Sequence, residues 1–441
     1  MDESKKRQPP IDRLSALPDG IICNILSLLP TITSVSTSVL ARRWRNLWAH
    51  VPVLYFAEID FRRASSRSEV VNDAVNDVLF AHKSPTIDTF RIYLSDMCDY
   101  DDFEDWMVTV VARKVRNLDV FLETSLPQFI FSCETLVDLG LGSCDIPDSG
   151  DVSLPALRKL KLELVCYESY NSLPNLLSGC PVLEELDIDM GYSENHSTDC
   201  GVASHTLKRL SISCGGTEDH DVSEDYIFEA HPCESMLDTP ALRFLHLYHV
   251  SPPEVTARAL VSLTEAKVDF DLGLQRGPSS RSVLEFLGKL SGVRSLTLTT
   301  GFMNITISEF SILNVKFPNL TKLVLEEAHG GFVSVFLENA DNLEVLAVRL
   351  LYQFQEDLNY WVEPKQVPIC LISHLKYVGI YGFEGVEPEL NMTKYLLRNS
   401  KVLKSLDIQP RSDQPRLKGK FEELNKVLLE RGADASKINL H

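Results

Sequence analysis

Apolar residues at positions i, i+3 and i+5 recur in order along most of this chain, and that repetition limits its fold more than any other feature. Clear copies are Leu136-Leu139-Leu141, Leu157-Leu160-Leu162, Leu183-Leu186-Ile188, Leu207-Leu210-Ile212 and Leu242-Leu245-Leu247. The series continues as Val293-Leu296-Leu298, Leu320-Leu323-Leu325, Leu343-Leu346-Val348, Leu375-Val378-Ile380 and Leu403-Leu406-Ile408. Weaker copies are Ile87-Phe90-Ile92 and Val115-Leu118-Val120, and Leu263-Ala266-Val268 is degenerate. Start-to-start spacing runs from 21 to 35 residues, which brackets the leucine-rich period at its short end and exceeds it at its long end. In a strand, i+3 and i+5 share one side while i+2, i+4 and i+6 face the other. One unit cannot cover its own apolar side, so neighbours must stack into a continuous core. Helical stretches fit between strands at Val283 to Leu290, Val333 to Asn339 and Leu390 to Asn399. The pattern predicts an α/β solenoid over residues 87–365, uneven because its spacing varies and no regular Asn stands at i+8.

The ends differ from this body. Residues 1–10 are polar and basic and read as a disordered leader; Lys5-Lys6-Arg7 is a solvated tail or a weak nuclear-import signal. From residue 11 to Pro52 a helical unit is expected. Pro18 suits a first helical turn, and Ile21, Ile22, Ile25, Leu28 and Leu29 then give an apolar face. Pro30 should stop that helix. A second segment runs through Val35, Val39 and Leu40, and a third sets Trp44, Leu47 and Trp48 at i, i+3, i+4. So small a unit buries little and implies a partner or a docked neighbour. At the other end, Phe421 to Leu429 reads as a helix within a capping tail, 411–441.

Charge and cysteine usage narrow the function. The net charge of −19 divides into about +3 over residues 1–50 and −22 over the rest. An acidic body argues against general nucleic-acid binding and is compatible with a basic protein partner. No apolar run approaches the roughly 20 residues needed to cross a bilayer, and no apolar signal core precedes the helical unit. The chain is therefore expected in the nucleus or cytoplasm, with its ten cysteines as free thiols. No C-x-x-C or zinc-finger spacing appears.

Several residues invite a chemical reading. By strand register His246 faces outward with Phe244 and Tyr248 while His249 points the other way, so no chelating pair is expected. Glu185, Asp187 and Asp189 share one strand face, but acid–base work needs a pocket with perturbed carboxylates, so a solvated face is expected. Gly140-Leu141-Gly142 lacks the later glycine of a dinucleotide site. No catalytic residue, cofactor or metal is expected.

Two segments carry a resemblance. Asp12-Arg13-Leu14-Ser15-Ala16-Leu17-Pro18-Asp19-Gly20-Ile21-Ile22, then Ile25-Leu26-Ser27-Leu28-Leu29-Pro30-Thr31 and Thr37-Ser38-Val39-Leu40-Ala41-Arg42-Arg43-Trp44-Arg45-Asn46-Leu47-Trp48, closely resembles a plant F-box. Pro368-Ile369-Cys370-Leu371, Tyr381-Gly382-Phe383-Glu384-Gly385 and Leu396-Leu397-Arg398-Asn399-Ser400 resemble the FBD domain, here 366–410, of the plant F-box/LRR/FBD group. The resemblance implies a three-helix F-box at 11–52, leucine-rich repeats and C-terminal FBD-type repeats. It further implies docking on the Skp-type adaptor and cullin of an SCF-type (cullin-RING) E3 ubiquitin ligase, as a non-catalytic subunit presenting a target protein. By motif position Leu17, Pro18, Ile21, Ile25, Leu28, Leu29, Pro30, Val39, Trp44 and Trp48 would pack the docking helices or meet the adaptor. The sequence departs at Gly20, where the family has Glu, at Ile32-Thr33, and at Ser36.

A target would meet the out-facing strand positions, with Lys159, Lys161, Glu185, Asp187, Phe244, His246, Tyr248, Lys322, Tyr377 and Tyr381 as candidates. The other readings are a leucine-rich scaffold outside any ligase, motivated by those departures, and a small-ligand receptor. The target and pathway are not legible in one sequence.

Overall fold

The i, i+3, i+5 pattern folds as parallel β-structure. A computed structural model describes residues 14, 16–61, 68–94, 98, 100–146, 151–167, 169, 171–190, 201–214, 236–250, 254–255, 260–270, 280–299, 315–328, 330–350, 361–411, 417–430 and 438–440. The leader 1–10 with Lys5-Lys6-Arg7, and the motif residues Asp12, Arg13 and Ser15, lie outside them. The chain divides into two compact units, residues 1–183 and 184–441.

In the first unit α1 (Asp19–Leu26) and α2 (Thr31–Ser36) precede 3₁₀ turns at Thr37–Val39, Arg42–Asn46 and Trp48–His50. Then come β1 (Val53–Ala57), α3 (Glu58–Phe61), α4 (Ser68–Ala81), β2 (Thr89–Tyr93), α5 (Tyr100–Ala112), β3 (Asn117–Phe121) and β4 (Asp138–Gly142). After them lie β5 (Asp145–Ile146), β6 (Lys159–Glu163), β7 (Cys166–Tyr167) and α6 (Ser172–Ser178). Strands β1, β2, β3, β4 and β6 pair in that order, all parallel. Their register sets Leu54, Phe90, Leu118, Leu139 and Leu160 side by side. Every i+3 position meets another, and all are buried.

The third helical segment of the N-terminal unit is not α-helical. Its 3₁₀ turns bring round every third residue, so Trp44 and Leu47 eclipse on the inner side. Trp48, four residues on from Trp44, is only partly buried beside them. Pro30 also acts differently from expectation: α1 ends at Leu26, and Pro30 instead precedes the first turn of α2.

The second unit holds β8 (Glu185–Asp189), β9 (Gly201–Ala203), β10 (Arg209–Ser213), β11 (Met236–Asp238), β12 (Phe244–Val250), β13 (Glu254–Val255) and β14 (Glu265–Phe270). It continues through α7 (Ser280–Lys289), β15 (Ser295–Thr299), β16 (Lys322–Ala328), α8 (Gly330–Asn339), β17 (Val345–Leu350), α9 (Ile369–Ser373) and β18 (Tyr377–Phe383). It closes with α10 (Glu387–Asn399), β19 (Ser405–Pro410), α11 (Leu417–Glu430) and β20 (Ile438–Leu440). Pairing is again parallel and in register from Leu186 and Leu210 through Leu245, Ala266, Leu296, Leu323, Leu346 and Val378 to Leu406 and Ile438. Burying each leucine or valine from Leu186 to Leu406 in this series contributes about 1.5–3 kcal/mol, and that sum drives the stacking.

Of the described strands outside the legible repeats, β5 and β7 pair with each other and β9, β11 and β13 form a separate small sheet, while β1 and β20 extend the ladders of the repeats themselves. β1 belongs to the same sheet as β2, and its Val51, Leu54 and Phe56 stand at i, i+3 and i+5, all buried. At the other end α11 packs on α10 through a Lys394–Glu423 ion pair at 2.7 Å, and its Phe421 ring stacks on Phe383 at the end of β18. The tail then adds β20 to the sheet edge, so a helix alone does not finish it.

The strands also end alike. Ser143, Leu164, His249, Glu327 and Gly382 all have positive φ, and each stands seven residues after the first apolar position of its repeat. A left-handed residue there breaks the alternation, and register shifts follow at Tyr248/Val250, Leu325/Ala328 and Tyr381/Phe383.

Candidate functional site

The N-terminal helical unit sorts its apolar residues into two sets. Ile22, Leu26, Trp44, Leu47 and Val51 form a closed core, with Leu17, Leu29 and Trp48 packed against it. Ile21, Ile25 and Leu28 follow one another at i, i+4 and i+7 along α1 and the turn after it. Ile25 is half-buried and Ile21 half-exposed, while Leu28 is 84% exposed. Val39 is 85% exposed, and Leu40 and Leu14 are exposed as well. Pro18 is exposed and Pro30 half-buried. The single face expected for α1 is therefore two faces: Leu26, which the sequence reading left out, points inward, and Ile21 and Leu28 point outward.

Of the two places expected for Trp44, packing the helices or meeting the adaptor, the structure shows the first. At 4% exposure it belongs to the core and presents no indole to a partner. The unit is fastened to β1 by Tyr55, whose backbone N–H donates to Thr31 Oγ1 at 2.7 Å. The buried His82 lies 2.9 Å from the Val51 carbonyl, and burial lowers its imidazole below the ordinary value. At the rim, Arg43 binds the Asp19 carboxylate at 2.6 Å, an exposed pair contributing about 0–1 kcal/mol.

The candidate target-facing residues all occupy outward strand positions, but they do not gather in one place. Lys159 and Lys161 are on β6 of the first unit, where Lys161 pairs with Glu163 at 2.6 Å. In the second unit Glu185 and Asp187 lie on β8, separated by β10 from Phe244, His246 and Tyr248 on β12. Lys322 on β16 and Tyr377 and Tyr381 on β18 lie farther along the ladder.

The densest group surrounds β12. The Arg209 guanidinium stands 4.1 Å from the centre of the Phe244 ring and the Lys267 ammonium 5.8 Å from it, one from each neighbouring strand. Ser211 Oγ is 3.4 Å from His246 Nδ1. Burial lowers the His246 imidazole, aided by Lys267 and opposed by Asp187. His249 does not point to the opposite side, as strict alternation requires. Its positive φ swings it out to stack on Tyr248 at 4.2 Å, within 4.0 Å of the Asp269 carboxylate. Arg209 and Lys267 are not among the sequence candidates, although both stand at outward positions of their repeats, i+2 after Leu207 and i+4 after Leu263.

A second aromatic group lies on the outward side of the first unit. Tyr55 and Tyr93 meet edge to face at 5.7 Å, and the Tyr93 hydroxyl donates to Asp119. Burial, then that carboxylate, push the Tyr93 phenol well above its ordinary value. Gly140 allows this arrangement, since a Cβ there would stand 2.5 Å from Asp119 Oδ1. The glycine pair serves close packing and not a phosphate.

Among the described residues no set of three His, Cys, Asp or Glu side chains is placed to hold a metal ion, and none of their helices is long and apolar enough to cross a membrane. Burial holds the Cys144, Cys180 and Cys370 thiols up at about 12, far from thiolate formation at neutral pH.

Three family models match separate stretches. The F-box domain covers residues 14–56, the LRR repeats of the FBD-associated F-box protein At5g56370 cover 103–240, and FBD covers 363–408. Similar proteins from Arabidopsis thaliana include F-box/FBD/LRR-repeat protein At3g52680, 30% identical over 95% of this chain and 89% of the relative. F-box/FBD/LRR-repeat protein At4g00160 is 32% identical over 89% and 85%, and F-box/LRR-repeat protein 13 is 29% identical over 92% and 93%.

Proposed function

The chain belongs to the plant F-box/FBD/LRR-repeat family, and from that membership we propose that it is the non-catalytic, target-recruiting subunit of an SCF-type ubiquitin ligase. Its helical unit docks on the Skp-type adaptor, and the outward strand faces hold a target protein. The observation that carries this reading is the exposure of three apolar side chains, Ile21, Leu28 and Val39, on a unit that has a buried core of its own. Exposed apolar side chains on a folded surface favour a protein cover. Of the departures from the family pattern, Gly20, Thr33 and Ser36 are exposed and Ile32 is half-buried, and none of them belongs to the core of the unit.

A pull-down of the purified chain with the purified adaptor tests the reading. Leu28→Asp with Val39→Asp should weaken binding by at least about 30-fold, as loss of interface anchors does, with unchanged thermal unfolding because both side chains are exposed. Trp44→Ala is the opposite control: it should cost about 3–5 kcal/mol of stability as a core truncation. Equally poor binding by wild type and the double variant removes the adaptor role and leaves a repeat scaffold, whereas equally tight binding removes only Leu28 and Val39 from the docking surface.

A further inference from the structure

Phe80 of α4 is 93% exposed and Val108 of α5 is 51% exposed, although both helices bury a full set of other apolar side chains against the sheet. α4 turns Val71, Val75, Val78 and Leu79 inward, and α5 turns Phe103, Trp106, Met107 and Val110 inward. The two helices lie side by side. Asn76 donates to Asp102 at 3.1 Å and accepts from the Trp106 indole at 2.6 Å, and Arg113 donates to the Leu79 carbonyl at 3.2 Å.

Their outer faces repeat one pattern. Asp73, Asp77 and Phe80 stand at i, i+4 and i+7 of α4, and Asp101, Asp105 and Val108 stand at the same intervals of α5. All six side chains are exposed. The offset of 28 residues between the two sets equals the offset between the repeats beginning at Ile87 and Val115, so the two sets occupy matching places in consecutive repeats. The two helical sequences together contain seven acidic residues and no lysine or arginine. Asp101 lies in the first turn of α5, where it favours the helix dipole, but Asp73, Asp77 and Asp105 lie beyond the first turn and gain little from it.

We propose that this two-helix face docks a basic amphipathic segment of a protein partner. Lysines or arginines of the segment pair with the aspartate rows, and its apolar side chains cover Phe80 and Val108. Charge complementarity selects the partner. Four exposed carboxylates repel a nucleic acid or an acidic peptide, whereas a cationic segment removes their mutual repulsion and gains the apolar pair at once.

The test uses the full chain and a fluorescent peptide of roughly 14 residues, lysine and leucine arranged at helical i, i+3, i+4 and i+7 spacing. Anisotropy should report saturable binding that weakens with salt. Phe80→Ser and the pair Asp77→Lys/Asp105→Lys should each weaken it about tenfold or more, while thermal unfolding and adaptor pull-down stay as in wild type. A peptide with serine for leucine should bind wild type as weakly as Phe80→Ser binds the original. Equal affinity of wild type and both variants would overturn the proposal, because the peptide would then be answering only to the net charge of −19. Absence of binding at about millimolar peptide would do the same. So would sedimentation showing that Phe80→Ser turns a dimer of this chain into a monomer.

Discussion

Trp44 and Leu28 are both large apolar residues on short helical turns within the first fifty positions, yet one is enclosed and the other bare. Composition does not separate them, because nearly every turn of this stretch carries an apolar residue on each side. The partition depends on whether the backbone closes its turns every 3.6 residues or every three. Gly20 is exposed with nothing within 4 Å of where a Cβ would stand. Restoring the family's glutamate by Gly20→Glu should therefore stabilise α1 by about 1 kcal/mol without a clash, measurable as a shift in the denaturation midpoint. Glu389 shows charge acting through one residue. It accepts backbone N–H donors from Glu384 and Gly385 at 2.9 and 2.8 Å, and burial nevertheless raises its carboxyl above 4.5. A raised folded value means that the native state keeps the proton longer than the unfolded chain does. This contribution is thus greatest below 4.5 and declines as pH climbs to the raised value, after which it is constant. Glu389→Gln keeps an acceptor oxygen and removes the titration. Urea midpoints across pH 4.5 to 7 should slope less steeply in the variant, and identical slopes would remove Glu389 from the pH response. Some slope should persist, since burial also raises Asp60 and Glu327.

At the scale of elements, the strands were the legible part because their signal is enforced thirteen times over by one physical demand. Each i+3 residue must meet the i+3 residue of the next strand, and a misplaced one would leave a void along the whole stack. Leu346 lies between Leu323 and Val378 in the ladder and is buried. Leu346→Ala should cost about 2–5 kcal/mol, and hydrogen exchange should rise in β16 and β18 as much as in β17. Protection lost in β17 alone would mean the repeats do not share a core. β1 carries the same pattern at Val51, Leu54 and Phe56, but Pro52 between the first two reads as a terminator, and so the strand was not legible. Ile438 and Leu440 supply too short a string to be distinguished from chance. The helices α4 and α5 escaped because their apolar residues, such as Val75-Val78-Phe80 and Phe103-Trp106-Val108, fit the strand spacing as well as a helical one. The FBD-type segment owes its Tyr381-Gly382-Phe383-Glu384-Gly385 string to geometry. Gly382 and Gly385 have φ of 74° and 73°, which a side chain would strain, while Phe383 between them is buried. The site was legible as a set of outward positions, not as one place. Register says which way a side chain faces but not how many strands separate it from the next candidate, and the left-handed residue at His249 reverses even the facing.

For the whole molecule, adaptor docking and target holding are assigned to different surfaces, so one can be lost without the other. Borrowed catalysis makes this measurable before any target is known. A chain held in the ligase brings its own lysines near the charged conjugating enzyme at high effective concentration, so it should itself be ubiquitinated in a reconstituted reaction. Leu28→Asp with Val39→Asp should abolish that modification and lengthen the chain's life in cells, because the side chains it alters belong to the proposed docking surface. Phe244→Ala with Tyr248→Ala should leave self-modification intact, since those half-exposed rings on β12 take no part in reaching the adaptor. Trp44→Ala should reduce self-modification and folded protein together, whereas the docking variant should reduce only the former. If the β12 variant loses self-modification while staying folded, the assignment of docking to the helical unit and of target contact to the strand face cannot stand.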